Sequence, residues 1–132
     1  MKFFVDNCLP PRMARAFNEI GKPDHSFIHL REHPKLKPTA PDIEWIKLLA
    51  EEGNWIILTK DKNIMKKPVE KAAFAKAKLT GFFLDNTWSK FDFWMQLSKL
   101  AAIMPKIIEL AETSPQGVCY KVPVKSKDIQ SF

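Results

Sequence analysis

Glycine is scarce in this chain, with only four glycines among 132 residues. A dinucleotide fingerprint or a phosphate-binding loop needs several closely spaced glycines, because the backbone itself must approach the phosphate groups. The sequence contains no such cluster, so it excludes these two classes of nucleotide-binding protein.

Cysteine is rarer still, and the two copies, Cys8 and Cys119, lie far apart in the sequence. They form no closely spaced pair of the kind that binds a metal, and in a reducing compartment we expect both to be free thiols. Arg12 follows Cys8, but the thiolate loop of phosphatases has its arginine further along, where this chain has Ala14. We therefore expect Cys8 to be a packing residue.

Long apolar runs are also missing. A membrane-spanning helix needs roughly 20 consecutive apolar residues, and the N-terminal apolar run meets Asp6 too early for a signal peptide. The sequence therefore predicts no membrane association and a cytoplasmic location. Its length fits one domain, which we place at residues 1–125, with a loose C-terminal tail over 126–132.

Short apolar runs alternate with amphipathic segments of helical period along the chain. Strands are predicted at 2–5, 25–30, 55–58, 80–84 and 118–125, and helices at 11–21, 42–52, 68–78 and 91–112. Nearly continuous apolar strands separated by helices indicate a parallel sheet that is covered on both faces. The predicted fold class is therefore α/β: a three-layer α/β/α domain with a mostly parallel central sheet of about five strands.

Two prolines refine this prediction. Pro105 should kink or split the last helix, because proline removes a helical hydrogen bond and clashes with the preceding turn. Pro123 places the last strand at an edge of the sheet, and that strand can run antiparallel to its neighbour.

Aspartates stand at the ends of three predicted strands and at the start of one helix. Asp6, Asp61 and Asp85 follow the first, third and fourth strands, and Asp42 opens the second helix. The carboxyl ends of parallel strands lie on one edge of a sheet, where ligand crevices form. We therefore expect these acids to gather at that edge.

Such a cluster indicates metal chemistry, because neighbouring carboxylates repel one another unless a divalent cation neutralises them. Mg²⁺ or Mn²⁺ prefers oxygen ligands, and these ions supply the charge stabilisation that phosphodiester hydrolysis needs. Asp6, Asp42 and Asp61 are the candidate catalytic and metal-binding residues, and Asp85 is a weaker candidate for a fourth metal ligand.

Three further side chains stand close to these acids in sequence. Asn7 and Asn63 flank two of the aspartates and can add amide oxygens or bind phosphate. Glu44 lies two positions past Asp42, so on a helix it should point elsewhere.

Each aspartate also has a plainer interpretation. Asp6, Asp61 and Asp85 can simply end strands and begin turns. Asp42 can belong to a capping box in which Thr39 is the N-cap residue. The hypothesis of a metal site therefore depends on the joint pattern, because independent turn residues need not share one edge of the sheet.

The charge balance suggests a polyanionic partner. The chain carries 21 Lys and Arg against 15 Asp and Glu, a formal net charge of +6. The segment 60–78 is especially rich in lysine, which is either a solvated face or a surface that attracts phosphates. The candidate RNA-binding residues are Lys60, Lys62, Lys66 and Lys67.

The same motifs resemble the PIN-like domain family. The segment 3–10, FFVDNCLP, resembles the opening strand, aspartate and Leu-Pro helix start of these domains. Asp42-Ile43-Glu44 resembles their second acidic position, and Thr59-Lys60-Asp61 resembles their Thr-x-Asp signature after the third strand. With the fourth strand, Trp88 and the long last helix, the chain is similar to the VapC-type toxin ribonucleases.

The resemblance implies a PIN fold and a ribonuclease that depends on Mg²⁺ or Mn²⁺. Asp6, Asp42 and Asp61 would then be metal ligands, Thr59 would support them, and Asp85 or Glu44 would supply a further acid. The resemblance also implies an antitoxin protein as partner, and homodimerisation.

Two other hypotheses remain at this stage. One is a PIN-like module without catalytic activity, which binds nucleic acid or a protein partner. The other is a metal-dependent phosphohydrolase or receiver domain, but no second acid accompanies Asp6 after the first strand, as either of those classes requires.

Overall fold

Strands from distant parts of the chain form one sheet. The computed structural model describes residues 1–125 and 128–132, except for the side chain of Lys62. The strands are β1 (Lys2–Val5), β2 (Ser26–His29), β3 (Trp55–Thr59), β4 (Thr80–Leu84), β5 (Cys119–Val122) and β6 (Gln130–Ser131). Their order across the sheet is β2-β1-β3-β4-β5-β6. The four pairs β2–β1, β1–β3, β3–β4 and β4–β5 are parallel, and β6 pairs antiparallel with β5.

Four α-helices cover this sheet within the described residues. They are α1 (Pro11–Gly21), α2 (Asp42–Glu52), α3 (Pro68–Ala77) and α4 (Phe93–Thr113). Short 3₁₀ segments follow three of the strands, at Leu30–Glu32, Lys62–Met65 and Asn86–Lys90. None of the described helices combines the length and the apolar character that crossing a bilayer requires.

Alternation along the strands produces two hydrophobic layers, because successive side chains of a strand point to opposite faces. Phe3 and Val5 pack in one layer with α1 and α4, whereas Phe4 packs in the other layer with α2 and α3. Phe82 and Phe83 divide between the same two layers. The three-layer α/β/α fold with a mostly parallel sheet is therefore confirmed.

The last strand differs from its prediction. β5 runs parallel to β4, with Phe82 paired to Tyr120, and it is not an edge strand because β6 covers its other side. Pro123 lies just beyond β5, so it removes no ladder hydrogen bond within that strand.

The predicted loose tail is only partly within the described residues. Residues 126–127 lie outside them, whereas Gln130–Ser131 form β6. The backbone N–H of Phe132 also donates a 2.8 Å hydrogen bond to the Cys119 carbonyl oxygen. Pairing with β5 therefore orders a segment whose own sequence has no strand pattern.

Two possibilities that the sequence left open for the helices, a split at Pro105 and a capping box at Asp42, do not occur. α4 is not split, and runs from Phe93 to Thr113 with an exposed Pro105 inside it. The capping box does not form, because α2 begins at Asp42 itself and its N-cap position is Pro41, which makes no side-chain cap bond. Asp42 is therefore free of the capping role that competed with metal binding.

Candidate metal centre

The centre lies at the carboxyl edge of the sheet, where β1 and β3 end side by side. These strands pair in parallel with Val5 opposite Leu58, and the N–H of Asp6 continues the ladder with a 3.2 Å bond to the Leu58 carbonyl oxygen. Asp61 lies two residues beyond the end of β3. Strand register therefore places two of the three acids.

The structure brings together three of the predicted acids. One carboxylate oxygen from each of Asp6, Asp42 and Asp61 lies within 4.8 Å of the other two. Asp42 comes from the first turn of α2, on the far side of a connection that follows β2. Three segments that are distant in sequence thus meet at one point.

Asp6 is the most enclosed member of the group, with only 5% of its surface exposed. Its Oδ1 accepts a 2.6 Å hydrogen bond from the backbone N–H of Asn7, and its Oδ2 accepts a 3.0 Å bond from the Thr59 hydroxyl. These two bonds set the orientation of the carboxylate.

Thr59 also connects Asp6 to Asp61. Its hydroxyl is fully buried, donates to Asp6 and accepts a 2.9 Å bond from the backbone N–H of Asp61. A hydroxyl can do both, because it has one hydrogen and two lone pairs. Thr59 therefore contacts both acids without adding a charge.

Replacing Thr59 with valine should weaken Mn²⁺ binding by about 10- to 100-fold, the usual cost of losing a group that orients metal ligands. Valine keeps the shape of threonine but can neither donate to Asp6 nor accept from Asp61. Calorimetric titration with MnCl₂ measures the affinity. Thr113→Val is the matched control, because that hydroxyl bonds only the Glu109 carbonyl at the end of α4. Equal affinity in wild type and Thr59→Val would contradict the assigned role.

Asp42 is oriented from within its own helix. The indole Nε1 of Trp45 donates a 3.0 Å hydrogen bond to Asp42 Oδ1. Trp45 is fully buried, and its ring centroid lies 5.1 Å from that of Phe4 on β1. The hydrophobic layer under α2 thus fixes the carboxylate of Asp42 through Trp45.

The electrostatics of the group favour a cation. Burial raises the pKa of Asp6, and the charge of Asp61 raises it further, against the lowering effect of the hydrogen bonds from Asn7 and Thr59. Burial also raises the pKa of Asp42, with the Asp6 charge as the next cause. The charge of Asp61 thus makes Asp6 and Asp42 harder to ionise, and positive charge at the centre would reverse this effect.

The donor set fits a hard divalent cation. All three candidate ligands are carboxylates, and Mg²⁺ and Mn²⁺ prefer oxygen ligands and need only a few from the protein. Burial and the charges of neighbouring acids raise the pKa values of Asp6 and Asp42. The residues present therefore suit the predicted ion.

The other two predicted acids are not members of the group. Glu44 is exposed on α2, as its spacing from Asp42 indicated. Asp85 accepts a 2.9 Å hydrogen bond from the N–H of Thr87, and caps the 3₁₀ segment that follows β4. The turn interpretation therefore describes the contacts of Asp85, and it also describes one contact of Asp61, whose side chain caps the 3₁₀ segment at Lys62–Met65.

The two asparagines have structural contacts. The side chain of Asn7 donates a 2.8 Å bond to the Pro38 carbonyl oxygen and accepts a 3.2 Å bond from Arg31 Nε, so it anchors the loop that leads to α2. The backbone N–H of Asn63 donates a 2.9 Å bond to Asp61 Oδ1, and its own side chain is exposed. The side chain of Asn7 therefore holds the loop, whereas the backbone of Asn63 holds the carboxylate of Asp61.

The candidate RNA-binding lysines lie in the segment that follows β3. Lys60 is half-buried, whereas Lys66 and Lys67 are exposed. The side chain of Lys62 is outside the described part of the chain. Within that part, this cationic segment begins directly beside Asp61.

Cys8 is a residue of the centre that sequence reasoning assigned only to packing. Its sulfur accepts a 2.9 Å hydrogen bond from the N–H of Lys60 and lies 3.2 Å from the Thr59 hydroxyl oxygen. Burial raises the pKa of the thiol to about 11, so it remains protonated at neutral pH. Cys8 thus braces β1 against the end of β3, a role that no spacing rule in the sequence could indicate.

Comparison with protein families matches residues 1–86 to a family described as "PIN like domain". The matched range is more than half of the chain and contains β1 to β4 with all three acids of the centre. Searches of curated proteins and of solved structures found no match. PIN-like domains are typically nucleases.

Proposed function

Because this chain belongs to the PIN-like domain family, we propose that it is a metal-dependent endoribonuclease that hydrolyses phosphodiester bonds in RNA. The observation that carries the proposal is the meeting of Asp6, Asp42 and Asp61 within 4.8 Å at the carboxyl edge of the sheet. Family membership alone would not indicate retained activity, but an intact set of acids supports it.

These three acids would hold Mg²⁺ or Mn²⁺. When bound, such an ion supplies positive charge for the phosphoryl oxygens and lowers the pKa of water. The chain contributes the orientation of the ligands, through Thr59 for Asp6 and through Trp45 for Asp42. It also keeps water from most of Asp6, which strengthens electrostatic interactions at the centre.

The lysines beside the centre supply the attraction for the substrate. Lys60, Lys66 and Lys67 follow β3 directly, and the chain as a whole is basic. A positive field raises the local concentration of a polyanion and speeds its association. The choice of RNA over DNA rests on the resemblance to toxin ribonucleases. The same resemblance supports the proposal that the protein acts in the cytoplasm as the toxin of a toxin–antitoxin pair. Its partner would then be an antitoxin protein, and its assembly a homodimer.

The test compares single-stranded RNA with DNA of the same sequence, each labelled at one end and incubated with the protein in Mg²⁺ or Mn²⁺. We expect RNA fragments that arise only with the metal, no cleavage in EDTA, and recovery when excess Mn²⁺ is added. Cleavage of DNA alone would contradict the assigned substrate. RNA binding without any cleavage would favour the alternative of an inactive PIN-like binding module.

A further inference from the structure

A groove of about 1030 Å³ lies between α3, the end of β4 and the last two strands. This volume is at the upper end of the range for small-molecule sites, so it can accept a nucleotide. On this face α3 packs over β4, whereas β5 and β6 lie beyond the helix. We name it the lateral groove, and it is lined by Lys66, Lys71, Phe83, Asp85, Lys121 and Phe132, among others.

The lateral groove reaches the same edge of the sheet as the acids. Met65 lines the groove and ends the 3₁₀ segment that begins one residue after Asp61. Asp85 lines it at the end of β4, the strand that pairs with β3. A chain that occupied the groove would therefore leave it close to the proposed reaction site.

The floor of the groove is aromatic and closely packed. A Cβ atom on Gly81 would lie only 2.9 Å from the ring of Phe74, so glycine lets α3 approach β4 here. Phe83 is buried in this floor, and the ring of Phe132 meets it edge-on, with centroids 5.5 Å apart. Phe132 remains 63% exposed, so a broad aromatic surface is open to a ligand.

The charged residues that line the groove are mostly positive. Lys66, Lys71 and Lys121 are all exposed, and Asp85 is the one acid among the lining residues. Asp85 is also engaged by the N–H of Thr87. Lysines around an exposed aromatic ring match a ligand that alternates flat rings with negative charges.

We propose that the lateral groove binds the single-stranded RNA segment next to the scissile bond, a proposal that rests on the ribonuclease function proposed above. One base stacks on Phe132, and flanking phosphates pair with Lys71 and Lys121. Stacking on aromatic side chains tolerates any base, whereas lysines recognise only the backbone. The groove therefore raises the affinity of the protein for RNA and orients the RNA strand, but it does not select a base sequence.

The experiment measures binding without cleavage. The Asp61→Asn variant is titrated in EDTA against a fluorescent oligouridylate of about 10 nucleotides, a typical length for such sites. Adding Phe132→Ala should weaken binding by about 5- to 150-fold, the equivalent of the roughly 1–3 kcal/mol that stacking of one base contributes. Adding Lys71→Gln or Lys121→Gln should lower the slope of log affinity against log salt by about 0.7 for each lysine.

Matched controls come from α4, which covers the opposite face of the sheet. Trp94→Ala removes another exposed aromatic side chain, and Lys106→Gln removes another exposed lysine. Both controls should bind the oligonucleotide as the Asp61→Asn background does. If Phe132→Ala fails to fold, the salt dependence of Lys121→Gln still tests the groove.

The outcomes separate this proposal from the nuclease. Loss of binding in the groove variants supports the groove even if the wild-type protein never cleaves RNA. Unchanged binding in all three groove variants, or no binding by the background variant, overturns the RNA assignment and leaves the groove to an apolar segment of a protein partner. If the wild-type protein cleaves RNA but the groove variants bind it as the background does, the proposed RNA site in the groove is wrong and the proposed nuclease function is supported.

Discussion

Replacing Asp61 with asparagine should lower the rate of metal-dependent RNA cleavage by at least about 100-fold, because even groups that only support metal ligands commonly contribute 10- to 100-fold. Asparagine keeps the size of the side chain and an oxygen that can accept from the N–H of Asn63. It removes one of three negative charges at the centre. Cleavage of labelled RNA in saturating Mn²⁺ measures the effect, and relief of growth inhibition on expression would test the toxin role.

The same variant should be more stable than the wild-type protein in EDTA. Asp61 raises the pKa of both Asp6 and Asp42, after the larger effect of burial. Between the ordinary aspartate pKa of 3.8 and the raised values, the folded protein binds more protons than the unfolded chain, so stability falls as the pH rises. Removing the Asp61 charge should therefore make the free energy of unfolding fall less as the pH rises.

Asp24→Asn, an identical change at an exposed acid, is the control and should alter neither activity nor stability. Undiminished cleavage by Asp61→Asn would refute the assigned centre.

Saturating Mn²⁺ should raise the melting temperature of the wild-type protein by about 5–15 °C. An ion at 100 times its dissociation constant stabilises the folded state by about 2.7 kcal/mol, and each kcal/mol shifts the midpoint by several degrees in a chain of this size. The physical reason is that the cation removes the repulsion among Asp6, Asp42 and Asp61. Thermal unfolding followed by circular dichroism, with and without the metal, measures the shift.

The pH dependence of that shift is an internal control. Protons compete with the metal at Asp6 and Asp42, whose pKa values lie above the ordinary value, so the shift should shrink as the pH falls towards those values. Asp61→Asn should show a small shift at every pH. An equal shift in wild type and variant would mean that the ion stabilises the protein elsewhere.

The sequence predicted the meeting of Asp6, Asp42 and Asp61 more accurately than it predicted the edge of the sheet. Asp6 and Asp61 could be located because they directly follow apolar runs, and parallel strands end on one side. Asp42 was placed by its position at the start of a helix. The PIN-like family is confirmed over residues 1–86, whereas membership of the VapC-type subgroup stays a prediction.

Features that depend on tertiary contacts could not be predicted. β6 exists because Gln130–Ser131 meet the free side of β5, and two residues carry no periodic signal. Trp94 keeps the helical period of the last helix but is 75% exposed, because the buried stripe of α4 lies elsewhere. The contact of Cys8 with Thr59 joins residues 51 positions apart, a relation that no local pattern encodes.

The double hydrogen bond of the Thr59 hydroxyl has a consequence for ion selectivity. The Thr59 hydroxyl holds the carboxylate of Asp6 and the backbone of Asp61, and the N–H of Asn63 holds Asp61 Oδ1. Part of the conformational entropy of these two side chains is therefore lost on folding rather than on binding of an ion. Asp42, which Trp45 holds at the amino end of α2, is then the acid whose position would adjust to the radius of a bound ion. Because Mg²⁺ demands shorter and more regular coordination than Ca²⁺, we expect the position of Asp42 to determine which of the two ions would bind more tightly at this centre.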